Sequence, residues 1–465
     1  MSRTMQASAV INLTERLDRL PLGRFHFLLF ALMFASLAFD HLDQVVISFS
    51  LPHYREEWGL SVRMASLNPT GGLAGTFIGA LIGGMLGDRI GRKRTLLIGL
   101  TMFSTGMVLK GLSPNFVVFN IVCWTGALGV GSAIPLTFTL LAEYAPAKYR
   151  GTVLVTMGIM AIIVGYLIAS LGALFLLPAF GWRALFLMGS SSYLIVILLA
   201  AFVPESPRFL LAKGKLAEAV HVVRRVEGHR APAHEIGGAA ILGEGASEPQ
   251  EAGEGGLTLT GFGQLWKRAY RRRTFMLWAY AFSFGFFTFG FLSWLPSVLK
   301  FAGLTDHEIG LYTTLMDLTA IPTAVLTAFL FFRWSTKGLL VLYPTLSGTA
   351  MILLAALLWS GQMTAALVIS VGAVIFFFGT ILLGIFGPYA AEVYPTEVRG
   401  TGSGWATGFS RFGAFLAIPL GGLFLGSGLP LFTHQLIFGI PLLLAAVVMM
   451  ALGIETRRQR LEDIA

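Results

Sequence analysis

Asp40 and Asp43 stand three residues apart in the middle of an apolar run, a spacing that projects both carboxylates from one helical face. An ionised carboxylate at mid-bilayer costs on the order of 2.5–3.5 kcal/mol unless it faces water or a partner. Two carboxylates on one buried face titrate as a coupled unit, which is the chemistry a proton carrier needs. The other reading is an internal salt bridge that only holds helices together. His41 points to a different face and suits a helix contact. In a later run, Arg411 offers a planar fork of donors that can grip a carboxylate where water is scarce, and is the candidate anion anchor. Asp317, within another run, is either part of the same substrate site or the permanent partner of Arg411. Lys110 lies near the outer end of its run, from which it can snorkel.

These groups need helices that cross a membrane. The 465 residues are 55% hydrophobic and 12% charged, with a mean hydropathy of +0.75, against roughly 25% charged in soluble chains. About twelve apolar runs of membrane-crossing length follow one another, at about 25–51, 65–87, 95–112, 115–142, 151–177, 182–203, 274–299, 308–332, 338–359, 363–390, 401–425 and 431–453. The fold class is therefore an all-α membrane protein, because short alternating strands of the β-barrel kind are absent.

Cations including Arg89, Lys148, Arg271, Arg333 and Arg457 fall on the side of the two chain ends, a positive-inside bias that puts both termini in the cytoplasm of a plasma or bacterial inner membrane. The net charge of +9 is thus a topology signal and gives no reason to expect nucleic acid. Residues 1–24 form an N-terminal cytoplasmic segment without the order of a cleavable signal. Residues 25–203 and 274–453 make two six-helix bundles. Between them, 204–273 reads as a cytoplasmic linker, helical from Ser206 to Val226 and flexible from Glu227 to Gly256, and 454–465 is a tail. The single Cys123 lies inside a run, so no disulfide framework is expected.

The string E-x-x-P-x-x-x-R-G occurs twice, from Glu143 to Arg150-Gly151 and from Glu392 to Arg399-Gly400, so one half looks like a copy of the other. Pseudo-symmetric halves that rock about a shared site are the working principle of secondary transporters. Gly71, Gly75, Gly79, Gly83 and Gly87 recur every fourth residue in the second run, a small-residue packing face. Next comes Gly84-Met85-Leu86-Gly87-Asp88-Arg89-Ile90-Gly91-Arg92-Lys93-Arg94. Here the chain resembles the major facilitator superfamily, whose loop between spans two and three reads G-x-x-x-D-R-x-G-R-[RK]. The resemblance implies two bundles, a central cavity lined mainly by spans one, four, seven and ten, and a gate in which Asp88 holds the inner side closed, with Gly84, Arg89, Arg92, Glu143, Arg150, Glu392 and Arg399 as companions. The matching stretch of the second half, Phe331 to Lys337, lacks the acid.

Pro204-Glu205-Ser206-Pro207-Arg208 and Glu455-Thr456-Arg457 look like the sugar-porter pattern. Arg16 to Pro21, Asp40-His41-Leu42-Asp43 and Glu57 to Ser61 resemble the aromatic-acid/proton symporters and the niacin-permease-like group. Leu51-Pro52 matches Leu295-Pro296 at an offset of 244 residues, which sets Phe284 and Phe287 opposite Asp40 and Asp43; with Phe282, Phe286, Phe289 and Trp294 nearby they form either a candidate aromatic platform for a planar ring or rings that pack or face lipid. Where family members usually carry an arginine in span four, this chain has Cys123. No phosphate-binding loop or metal-spaced cluster occurs, so neither enzyme activity, a cofactor nor a metal is expected. The expectation is a monomeric, proton-coupled importer of a small organic anion, an aromatic or heteroaromatic carboxylate, in a lipid bilayer. A sugar/proton symporter or a drug exporter is the alternative.

Overall fold

The computed structural model describes residues 21–146, 148–227, 263–268, 270–301, 303–361, 365–379 and 399–456, with isolated positions among 13–19 and 382–394. Among them every regular element is an α-helix, the form in which a chain in lipid satisfies its own backbone. Nine of these described helices are long and apolar enough to cross a membrane: Arg24–Glu57, Val62–Ile90, Phe116–Tyr144, Arg150–Phe180, Trp182–Phe202, Arg271–Phe301, Thr336–Ser360, Gly402–Gly426 and Leu431–Leu452. They are spans one, two, four to seven, nine, eleven and twelve. Arg92–Gly111 and Asp306–Arg333 are spans three and eight, and Ala365–Gly379 is the described part of span ten. Span three opens on Arg92, Lys93 and Arg94 and closes on Lys110, which is why its apolar stretch is short.

Two short helices, Pro207–Ala212 and Leu216–Glu227, follow span six. Ser206 caps the first by accepting the Phe209 N–H. Glu227 closes the second against Arg16 at 2.8 Å. Residues 228–256, expected to be flexible, lie outside the described residues.

The glycines of span two face span four in register. A Cβ at Gly75 would press on the Trp124 carbonyl, one at Gly79 on the Leu128 backbone, one at Gly83 on Ser132 and one at Gly87 on Leu136. Four-residue repeats on both helices thus mesh, and packing at this closeness rests on van der Waals contact between backbones. The stripe is a seam inside the first half, away from any sliding surface between halves. Gly285 and Gly413 do the same for spans seven and eleven, against Ser410 and Phe282.

The halves meet most closely on the face away from the basic loops. Gly422 and Gly426 of span eleven approach Ser66 and Val62 of span two, and Gly310 of span eight approaches the backbone at Leu174 of span five. His53 Nε2 of span one lies 3.0 Å from Asp306 Oδ2 of span eight, and Lys300 Nζ reaches both His53 Nε2 and Asp306 Oδ1 at 3.1 Å. At the basic ends spans two and eleven leave room, since a Cβ at Gly84, Gly404 or Gly408 would meet nothing within 4 Å.

Candidate functional site

A cavity of about 60 Å³ lies between the halves at mid-membrane, with Asp40, Asp43 and Gln44 from span one, Thr76 from span two, Cys123 from span four, Phe289 and Ser293 from span seven, and Arg411 from span eleven on its wall. That space has room for several waters. Spans one, four and seven are the expected contributors; spans two and eleven join them, and span ten is only partly described.

Asp40 is 8% exposed, takes a long 3.5 Å contact from Gln44 Nε2, and interacts electrostatically with Arg411. No direct ion pair joins the two among the described residues. The guanidinium instead sits 5.3 Å from the centre of the Phe289 ring, a cation–π seat, and the side chain stays accessible to the cavity. Nor does Arg411 pair with Asp317. Asp317 is 4% exposed and accepts a hydrogen bond from Ser170 of span five, so it ties span eight to the first half and is absent from the cavity wall. The substrate role expected for it gives way to a contact between halves.

Asp43 differs sharply from its neighbour. Its two oxygens accept from Lys110 Nζ at 2.7 and 2.9 Å, on span three. Lys110 is 1% exposed, so it does not snorkel; its ammonium turns inward to the acid. Room for the lysine stem comes from Gly106 and Gly126, which bring spans three and four together, with Lys110 Cε 4.0 Å from a Cβ at Gly126. The two acids still act on each other electrostatically but sit in different settings, Asp43 paired inside the first half and Asp40 facing the second. His41 packs edge-on against Tyr166, the helix contact its direction suggests.

The aromatic platform is corrected. Phe284 and Phe287 are 2% and 3% exposed; Phe287 stacks on Phe291 and presses on Gly379. Trp294 is fully buried and donates its Nε1–H to the Ile418 carbonyl. All three rings fill the interior of the second half, where burial of a large ring is most favourable. Phe289 is the span-seven ring that reaches the cavity.

On the basic face, Asp88 is 76% exposed and lies 3.5 Å from Arg92 one turn on, while Arg92 Nε lies 3.4 Å from Glu143 Oε1 and its guanidinium covers the Phe209 ring. Arg150 donates to the Ala145 carbonyl. Gly84 is open and Arg89 lies at the helix end. Glu392 falls outside the described residues, and only the backbone of Arg399 is described. Glu205 makes a contact that motif reading does not anticipate. Its carboxylate accepts the Lys93 and Ser206 N–H groups, capping the first turn of span three. Glu455 repeats this at span nine, accepting from Thr336 N–H and Ser335 Oγ–H. A carboxylate at a helix N-terminus satisfies free donors and opposes the dipole.

Residues 28–418 match the family model of the Major Facilitator Superfamily. The chain is 30% identical to the niacin transporter NiaP of Acinetobacter baylyi, over 98% of this chain and 100% of that one. It is 29% identical to the gallate transporter of Pseudomonas putida, over 96% of each. To the 4-hydroxybenzoate transporter PcaK of Acinetobacter baylyi it is 27% identical, over 91% and 89%. Among solved structures, the inward-open xylose transporter XylE of E. coli superposes with a TM-score of 0.71 at 19% identity, over 94% of this chain and 99% of that one. Helical halves, a mid-membrane cavity with charged groups facing one another and these matches agree: the chain belongs to the major facilitator superfamily of membrane transporters.

Proposed function

We propose that this transporter imports a small organic anion with protons, the anion being an aromatic or heteroaromatic carboxylate. One observation carries the reading. Arg411 faces the cavity with none of the described carboxylates on its fork, beside the Phe289 ring, so a carboxylate has donors to receive it and an attached ring has an aromatic wall. Relatives named for niacin, gallate and 4-hydroxybenzoate support the same substrate class.

Asp40, across the cavity, supplies one proton step. While Asp40 is ionised it attracts Arg411 and repels an incoming carboxylate; once protonated it leaves Arg411 to the substrate. Proton and anion thus favour each other's binding, which is the coupling a symporter requires. The positive-inside pattern favours a cytoplasmic basic face. With that orientation the glycine contacts and the His53–Asp306–Lys300 cluster join the halves on the outer side.

The test is uptake into proteoliposomes of nicotinate, benzoate, 4-hydroxybenzoate and, for contrast, xylose, with and without an inward proton gradient. Gradient-stimulated uptake of the acids is expected. Uptake of xylose alone, or acid export under the same gradient, would overturn the reading.

A further inference from the structure

The Asp43–Lys110 pair has a geometry that proton-driven transport can use. Asp43 lines the cavity, whereas Lys110 stands behind it, almost wholly enclosed. A proton from cavity water reaches the acid first and the ammonium never. Facing Lys110 are Asp43 from span one, Cys123 from span four, Met107 Sδ at 3.9 Å on its own helix, and the Phe186 ring of span six at 5.6 Å from Nζ. Further out, Asp40 and Arg411 share the cavity wall with Asp43, and Arg183 of span six holds the Ser113 carbonyl just beyond the end of span three. Among the described residues, Asp43 is therefore the carboxylate that neutralises this ammonium.

We propose that Lys110 is the counter-cation of the transport cycle, holding Asp43 ionised in one state and released from it when Asp43 takes up a proton. The inference rests on the proton-coupled reading above. In the step itself, an O–H bond forms on an Asp43 carboxylate oxygen with a proton delivered by cavity water, and the two N–H···O⁻ bonds from Lys110 are lost. The ammonium keeps its charge and is left with the Phe186 face and the Met107 sulfur, both weaker partners. A buried charge without its counter-ion is strongly unfavourable. Protonation therefore raises the free energy of this arrangement of spans one and three relative to any arrangement that hydrates or re-pairs the lysine. Such a difference between states is what turns proton binding into a conformational change. Lys110 is in this sense a positioning residue, since it touches the proton acceptor and never the substrate.

The experiment compares proteoliposomes carrying wild type, Lys110→Gln, Lys110→Arg and Asp43→Asn/Lys110→Gln, with nicotinate and 4-hydroxybenzoate as probes. Two readouts are taken, accumulation driven by a proton gradient and gradient-free counterflow at acid and alkaline pH. Lys110→Gln is expected to drop accumulation to the level of protonophore-treated wild type, because both acids must take up a proton for net accumulation, while counterflow persists and keeps only the pH dependence that Asp40 supplies. Lys110→Arg keeps the charge and is expected to keep accumulation. The double variant, which leaves no unpaired buried charge, is expected to fold, to exchange and to accumulate nothing. Wild-type accumulation by Lys110→Gln would overturn the inference alone. So would gradient-driven accumulation recovered by the double variant, because the pair would then serve only to hold helices together. A wild type indifferent to the gradient for both probes would overturn the symport reading and this inference with it.

Discussion

Arg411 and Lys110 show how differently two membrane cations can be used. The first keeps its fork open to the cavity; the second spends its charge on Asp43. Arg411→Lys keeps the positive charge and removes only the fork, losing charge-assisted hydrogen bonds of about 1.5–3 kcal/mol. That corresponds to a rise in KM on the order of ten- to hundredfold for an acid substrate, measurable as initial uptake rates. Asp40→Asn is expected to keep counterflow but to remove stimulation by an acid exterior, since an amide leaves Arg411 unopposed without taking up a proton. Asp40, Asp43 and Arg411 are legible in the sequence because an ionisable group inside an apolar run stands out against its neighbours. The partnership of Lys110 is not, because its position near a helix end suits a snorkelling side chain, and only the distance to Asp43 reveals otherwise. Phe284 and Phe287 are placed by the offset between halves, which fixes position along a helix but not what a large ring does there.

Among elements, the meshed glycines of spans two and four are the most demanding piece of packing. Gly79→Leu places a side chain against the Leu128 backbone, which cannot yield as a flexible side chain would. Overpacking of this kind costs about 1–3 kcal/mol or more. A lower melting temperature in detergent is expected, whereas Gly84→Ala, in open space, is expected to melt like wild type. The spacing of these glycines is legible in the sequence, and so is a packing face. Their partner is not, because small residues on one helix do not say which neighbour fits them. Glu205 and Glu455 are legible as motif members, yet their task of capping spans three and nine depends on how the chain returns after spans six and twelve. Glu205→Ala is expected to weaken the start of span three by about 1 kcal/mol, the usual loss for a missing cap, read as a lower melting temperature.

For the whole molecule, the duplicated E-x-x-P-x-x-x-R-G string and the run of apolar segments already imply two related halves, and the helices follow that plan. Which face is shut cannot be read from either, because both conformations of such a transporter share one sequence. The His53–Asp306–Lys300 cluster joins the halves on the face away from the basic loops. Asp306→Asn removes the charge that both His53 and Lys300 address, so opening of that face is expected to become easier. Cysteines introduced at Val62 and Gly426 check this: disulfide formation between them should slow in the Asp306→Asn background and remain fast without it. The sulfur of Cys123 has a practical bearing on such measurements. It is the lone thiol of the chain, 1% exposed yet bordering the cavity, so one substitution at that position removes every native thiol and leaves spin labels or fluorophores at engineered sites to report on lobe motion alone.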